Sequence, residues 1–462
     1  MKVRLIFPCP STAALDRLYT DSFLSRIIWP ILGWGKSVVT PPLSLLMLAA
    51  VTPTGIDIQL IDERFEDIDF NEKVDLVGIT VMTRTASRAY QIADEHRKRG
   101  TKVVLGGIHP SVLPHEASLH ADAVVIGEGE IIWPQLLDDH KRGRLKQFYR
   151  GGHVADLNEL PFPRYDIITH PERYSTVKVI TASRGCENSC TFCAAFLAVG
   201  KRYRTRNVNS VVAELRTTPG KFVIFVDDNL GWDIAYAKEL CNALIPLKIK
   251  WSAELTLSAL EDVELVDLMA KSGCIVLELG FESLSPKVIA SIKKQQTNDP
   301  GRYRELIRRS HSRGISIIGS FIFGFDEDDL SVFRELNNFI KETCIGMPHL
   351  NALLPLPGSP IYRRFERESR LLHKNWEYYE QIPRQAVYQP KQMTPQELFN
   401  EYLSILKEIH KTGSFLKRII GAKTLFTFGT LVTIQYNLQK QSAIKRIIAE
   451  KNQYKIIQTM DS

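Results

Sequence analysis

The chain has 462 residues, 44% of them apolar and 24% charged, with a net charge of +7. Those proportions belong to globular protein with a core to bury, at a length that implies at least two folded units. They argue against a spanning protein, since no stretch reaches the roughly 18 uncharged apolar residues that a membrane helix needs. The charge is local: from Lys411 to Lys455 nine Lys and Arg stand against one acid, Glu450. The remainder is near neutral, which argues against a broad nucleic-acid surface.

The opening MKVRLIFPCP is basic like a signal peptide, but its apolar run is only Leu5-Ile6-Phe7 before a proline, and a first buried strand explains it better. We therefore expect a cytoplasmic protein. Strands are predicted at Val3–Phe7, Ile56–Ile61, Val74–Val81, Lys102–Leu105 and Ala123–Ile126. Helices are predicted at Leu43–Val51, Arg84–Arg99 and Ile131–Lys141, with a short turn near Pro114–His120. Short aliphatic strands alternating with helices specify an α/β, doubly wound, Rossmann-like domain over residues 1–145, whose ligands bind at the carboxyl ends of its strands. Phe23–Trp34, with Trp29 and Trp34, is unusually apolar for a loop after the first strand.

A linker at 146–175 contains the stiff Leu160-Pro161-Phe162-Pro163-Arg164. A second alternating series fills 176–395, with strands at Val177–Thr181, Phe222–Val226, Ile249–Ala253, Ile275–Phe281, Ser316–Phe323 and His349–Leu354. Its helices include Val208–Thr217, Ala235–Leu244, Val263–Ser272, Pro286–Lys294 and Gly301–Arg313. Six strand–helix repeats fit a partial (β/α)6 TIM barrel, with chemistry at the carboxyl ends of its strands. Residues 396–462 read as a helical tail. Within it Leu416, Ile419, Ile420, Leu425, Phe428, Leu431 and Val432 recur at helical spacing beside the basic run, a pattern that lies on anionic membrane surfaces or docks on its own protein.

Three of the seven cysteines, Cys186, Cys190 and Cys193, fall in a C-x3-C-x2-C motif just after the first barrel strand; Cys9, Cys241, Cys274 and Cys344 are scattered. The pattern is not a secreted disulfide framework. Three thiolates so spaced can wrap one corner of a [4Fe–4S] cubane and leave its fourth iron open. A zinc site would need a fourth ligand, and no Cys or His lies between Cys193 and Cys241.

At Ser183-Arg184-Gly185-Cys186 through Cys193 the chain resembles the radical S-adenosylmethionine superfamily, and Phe192 matches the aromatic that usually precedes the third cysteine. The resemblance implies that the cluster reduces S-adenosylmethionine to a 5′-deoxyadenosyl radical. It places cofactor-binding groups at Asp227-Asp228-Asn229 after the second strand, for the amino group. Glu254 follows at the third strand and Glu282-Ser283 at the fourth, for the ribose, with Ile315–Asp326 along the adenine and Leu354–Pro360 after the sixth strand.

The segment Val104–Leu137 resembles the cobalamin-binding domains fused ahead of such barrels, which implies that Gly106, Gly107, His109, Gly127 and Glu128 border a corrinoid. The Asp-x-His-x-x-Gly motif that ligates cobalt in mutase-type domains is absent, the chain reading Thr80-Val-Met-Thr-Arg-Thr-Ala, so cobalt is expected to have no protein histidine. A domain kept only for packing is the alternative.

The subclass resembled includes hopanoid and isoprenoid methylases and anaerobic magnesium-protoporphyrin ester cyclase-like enzymes. It implies cobalamin-dependent C-methylation of an unactivated carbon on a hydrophobic small molecule, with electrons from a reductase, flavodoxin or ferredoxin. The apolar, basic tail makes peripheral membrane contact one expectation, beside docking on its own protein. The alternative is radical ring closure, rearrangement or carbon–carbon coupling without methyl transfer. Methylthiotransfer would need three more amino-terminal cysteines, where only Cys9 stands. No catalytic residue is assigned; His349, Tyr362 and Tyr378 are unranked general-base candidates.

Overall fold

A computed structural model describes residues 1–9, 39–174, 176, 178–218, 220, 222–379, 386–422 and 427–460. The apolar Phe23–Trp34 segment lies outside these, as do Leu425 and the side chain of Phe428. Two all-parallel sheets carry the chain.

The first contains β1 (Lys2–Phe7), β2 (Asp57–Asp62), β3 (Leu76–Thr80), β4 (Lys102–Gly106), β5 (Ala123–Gly127) and β6 (Phe148–Gly152), in the order β2-β1-β3-β4-β5-β6. This is a doubly wound order whose ligand crevice lies at the strands' carboxyl ends. Aliphatic residues buried on both faces, such as Val3, Leu5, Leu76, Val77, Val103 and Val124, explain why the strands sit inside. The sheet continues to Gly152, past the boundary at 145 that hydrophobic runs suggest, because β6 (Phe-Tyr-Arg-Gly-Gly) is a poorly apolar edge strand.

The second sheet contains β7 (Val179–Ile180), β10 (Phe222–Phe225), β11 (Lys250–Leu255), β12 (Cys274–Glu282), β13 (Ser316–Phe323) and β14 (Met347–Ala352), in sequential parallel order. This is the open six-stranded barrel. Between its first two strands, β8 (Ser183–Arg184) and β9 (Arg204–Thr205) form a small antiparallel ladder. Pairs this short carry no periodicity that a sequence could show.

Alternation along the barrel strands sends every second side chain inward. Phe222, Val276 and Met347 make an apolar floor, against which Ile224, Ile318, Val432 and Tyr436 pack. The last two belong to the helix Phe428–Met460, so this part of the tail closes the barrel instead of facing a membrane. Arg418 of the basic run is also internal: it is 1% exposed and donates to the carbonyls of Ile345 (2.9 Å) and Ile409 (2.7 Å). Among the described residues no helix is long and apolar enough to cross a membrane.

His410 caps the helix Pro395–Ile409, and its Nδ1 lies 2.8 Å from Asn437 Oδ1. Burial pushes its pKa down to about 3. An unfolded histidine titrates near 6.5, so the stability held by the neutral ring is present above that pH and lost as pH falls toward 3. The stability advantage of the wild type over His410→Gln should therefore shrink by up to about 1.4 kcal/mol per pH unit below 6.5. Thermal melts between pH 7 and 5 check this; a constant gap would contradict it.

Candidate active site between the two sheets

The chain entering the cysteine loop is pinned from the barrel side. Asp227, 2% exposed just past β10, accepts from Ala182 N at 3.0 Å, from Ser183 Oγ at 2.6 Å and from Ser183 N. Burial pushes its pKa up to about 7. Asp228 Oδ2 accepts from Gly185 N at 2.9 Å. The two acids that the motif assigns to the cofactor's amino group thus first hold loop backbone, and Asp227 does so with both oxygens. Gly185 has φ +89°, and a Cβ there would run into the Arg202 carbonyl, so the turn into Cys186 requires glycine.

Within the loop Cys190 is buried and Cys186 and Cys193 are half-buried. Cys186 Sγ accepts from Asn188 Nδ2 and Cys193 Sγ from Ala195 N, both at 3.4 Å. Burial pushes the Cys190 thiol up to about 12, and the neighbouring Cys193 and Cys186 add to the effect while Lys294 opposes it. Among the described residues no group of three or more His, Cys, Asp or Glu closes on a single metal ion. Three thiols on one short loop, close enough to influence one another's ionisation, suit a cluster with one open iron, whose assembly must displace their protons. Phe192 packs edge-on against Phe325, with centroids 6.3 Å apart.

At the end of β12 the register slips at Gly280 to Glu282, and Glu282 takes φ +62°. Its carboxylate pairs with Lys294, whose Nζ also donates to Gly280 O at 3.0 Å. Lys294 was not marked by the motif; a lysine just past a short helix looks like a surface residue until the fold brings its charge near Cys190. Ser283 Oγ accepts from Ser285 N at 3.1 Å.

Deeper in the barrel, Glu254 and Glu278 are register partners on β11 and β12. Glu278 Oε1 lies 3.0 Å from His349 Nδ1 and accepts from Ser320 Oγ at 2.9 Å, which keep it ionised. Two adjacent carboxylates resist joint ionisation. Glu254 reaches open space inside the barrel but is surrounded by protein, and burial with the Glu278 charge pushes it up to about 8.

A cavity of about 320 Å³ opens at the carboxyl ends of β3, β4 and β5. Leu45, Leu48, Val104, Val125 and Trp133 line it from the first unit, and Thr181, Arg184, Val199 and Val226 from the barrel. Gly106, Gly107, Gly127 and Glu128 are all on its wall. Gly107 has φ +109°, and a Cβ there would stand 2.8 Å from the Val81 carbonyl.

His109 requires a correction. It is 1% exposed and absent from that wall; its Nδ1 lies 3.2 Å from Thr83 Oγ1 and its Nε2 3.2 Å from Glu116, against the edge of Trp376. It sits in the short helix Ile108–Val112, and the ring packs inward. Glu128 is corrected in role: its carboxylate binds Arg204 (2.8 and 3.0 Å), Arg184 (3.2 Å) and Val154 N. It joins the two units, and its partners lie 56 and 76 residues away. Among the described residues no histidine lines the cavity.

A cradle of glycine and aliphatic surface suits the close approach of a flat corrinoid to backbone. A Cβ at Gly106 would meet nothing nearer than Val125 at 3.6 Å, so a side chain placed there projects from tolerable backbone. We expect Gly106→Phe to lower cobalamin affinity about 5- to 150-fold, since overpacking costs about 1–3 kcal/mol and 1.4 kcal/mol is tenfold. Cluster content and 5′-deoxyadenosine formation should survive. Absorption of the corrinoid retained after gel filtration checks it.

Comparison with known proteins agrees with this division. Residues 37–137 match the B12 binding domain and residues 180–340 the radical SAM superfamily. The chain is 32% identical over 398 residues to the bacteriochlorophyllide d C-12(1)-methyltransferase of Chlorobaculum tepidum, covering 84% of this chain and 86% of that protein. It is 25% identical over 372 residues to the hopanoid C-2 methylase of Rhodopseudomonas palustris, covering 77% and 70%. In fold it resembles the cobalamin-dependent S-adenosylmethionine radical enzyme OxsB with aqua-cobalamin and S-adenosylmethionine bound, with a TM-score of 0.65, 14% identity, and 98% and 80% of the two chains covered. With both domains matched in order, and this identity over most of both chains, the protein belongs to the cobalamin-dependent radical S-adenosylmethionine methyltransferases.

Proposed function

We propose that this enzyme methylates an unactivated carbon of a hydrophobic, lipid- or tetrapyrrole-like molecule bound between the cavity and the barrel mouth. The observation that carries the reading is the shared wall: Thr181, Arg184, Val199 and Val226 of the barrel border the same apolar cavity as the glycines of the first unit. A methyl group and a carbon radical arising on its two sides would meet there. Bacteriochlorophyllide and hopanoid, the substrates named for the two relatives, support an apolar substrate class.

When bound, the cluster supplies the electron that cleaves S-adenosylmethionine to a carbon radical, and cobalamin carries the methyl group. The chain's own part is positioning. Asp227 and Asp228 hold the loop entry, and the remaining Asp228 oxygen would accept from the cofactor's amino group. Glu282, set by Lys294, and Ser283 would receive the ribose hydroxyls. Phe192 packs against Phe325, and Glu254, paired in register with Glu278, would present its carboxyl toward the cofactor. Gly106, Gly107 and Gly127 let the corrinoid approach backbone. A dry apolar wall keeps the radical from quenching side reactions.

Electrons come from a reductase, flavodoxin or ferredoxin. Leu416 and Ile420, 43% and 61% exposed on the helix Thr412–Gly421 beside Lys417, are the contact for a membrane surface that would hold such a substrate.

The test is anaerobic incubation of cluster- and cobalamin-loaded enzyme with a chlorophyllide and a hopanoid, read by mass spectrometry. A gain of one methylene unit in either supports the reading. A substrate product of unchanged mass, or one formed without cobalamin, would favour radical rearrangement.

A further inference from the structure

We propose that Arg184 couples the two cofactor sites, so that a corrinoid in the cavity and a cluster on the three thiolates each tighten binding of the other. Three observations meet at this side chain. It forms part of the cavity wall, beside Glu128 and Glu130. Its backbone stands two residues before Cys186, in the β8–β9 ladder at the base of the cysteine loop. Its guanidinium spans the turn after β5, with Nη1 3.2 Å from Glu128 Oε1 and Nη2 2.8 Å from Glu130 Oε1.

The surroundings make this contact directional. Side-chain exposures are 13% for Arg184, 3% for Glu128 and 9% for Glu130, so the charges are little screened and one geometry is strongly preferred. The loop entry then has two sets of anchors. Asp227 and Asp228 fix it from the barrel, and Glu128 and Glu130 fix it from the first unit through Arg184. A ligand that orders the Gly127–Glu130 turn must order Arg184, and with it the start of the cysteine loop. A cluster that fixes Cys186 must in turn fix one wall of the cavity. Such coupling is reciprocal by thermodynamic necessity. Arg184 thus acts as a positioning residue, and the inference is independent of what the substrate is.

Hydroxocobalamin titrated anaerobically into cluster-loaded and cluster-free protein, followed by corrinoid absorption, measures the coupling. The electron paramagnetic resonance signal of the dithionite-reduced cluster, with and without hydroxocobalamin, reports it from the other site. We expect the cluster-loaded wild type to bind about tenfold more tightly, within the range that such couplings span, and its signal to change on addition. In Glu130→Gln and Arg184→Gln both cofactors should still bind, the affinity ratio should fall to about one, and the signal should become indifferent to hydroxocobalamin. Arg184→Lys keeps the charge and loses the fork, and should fold normally with a reduced ratio. A wild-type ratio of one, or a ratio unchanged in all three variants, would overturn the proposal.

Discussion

Cys190→Ala is expected to abolish cluster assembly and, with it, all formation of 5′-deoxyadenosine. Of the three thiols it is the most enclosed, at 8% exposure, with Lys294 and Glu282 as its charged neighbours. Loss of a mere outer-sphere partner costs metal sites about 10–100-fold in affinity or activity, so loss of a ligand should cost more than about a hundredfold. Iron content, the cluster's visible absorption and product chromatography all read it. The fold should persist, because Cys190 sits in a loop whose entry Asp227 and Asp228 hold independently. A variant that retained iron and turnover would remove these three cysteines from the chemistry.

Glu128→Ala should be the most damaging substitution outside the cysteines. Glu128 is 5% exposed and Arg204 7%, and the carboxylate meets the guanidinium through two contacts while also meeting Arg184 and Val154 N. Deleting one partner of a buried ion pair leaves the other charge uncompensated, at about 3–5 kcal/mol. That is a large share of the about 5–15 kcal/mol that holds a typical domain together. The variant should melt far below the wild type and lose both cofactors together. Adding Arg204→Met should recover part of the loss, because the uncompensated charge goes with it. Thermal denaturation of the single and double variants decides this; additive losses would show that the pair is not the unit of stability.

What could be read in the residues was what chemistry or periodicity confines to short stretches. The three cysteines declare a ligand set within eight positions, and the aliphatic runs of β1, β3, β4, β12 and β13 declare buried parallel strands. The glycines at 106, 107 and 127 were placed at strand ends and do border the cavity. What stayed hidden depends on long-range assembly. Glu128 looked like a turn acid; its arginines come from another unit. Asp227 and Asp228 read as cofactor ligands; that they also hold the loop 43–45 residues upstream is set by the fold and leaves no local signal. His109 sat next to the right glycines, but its ring turns into a buried cluster with Tyr90, Glu116 and Trp376, the last 260 residues beyond Glu116. Arg418 and Val432 matched a membrane-facing pattern because apolar residues at helical spacing look alike whether they face lipid or a barrel floor.

The most direct test of cobalamin-dependent radical methyl transfer is anaerobic turnover of S-adenosylmethionine by the reconstituted enzyme under dithionite, with and without cobalamin and beside Cys190→Ala. S-adenosylhomocysteine and 5′-deoxyadenosine should both appear, the first only with cobalamin, and both should vanish in the variant. Formation of 5′-deoxyadenosine with no retained cobalamin and no S-adenosylhomocysteine would contradict methyl transfer and leave a radical enzyme of another kind.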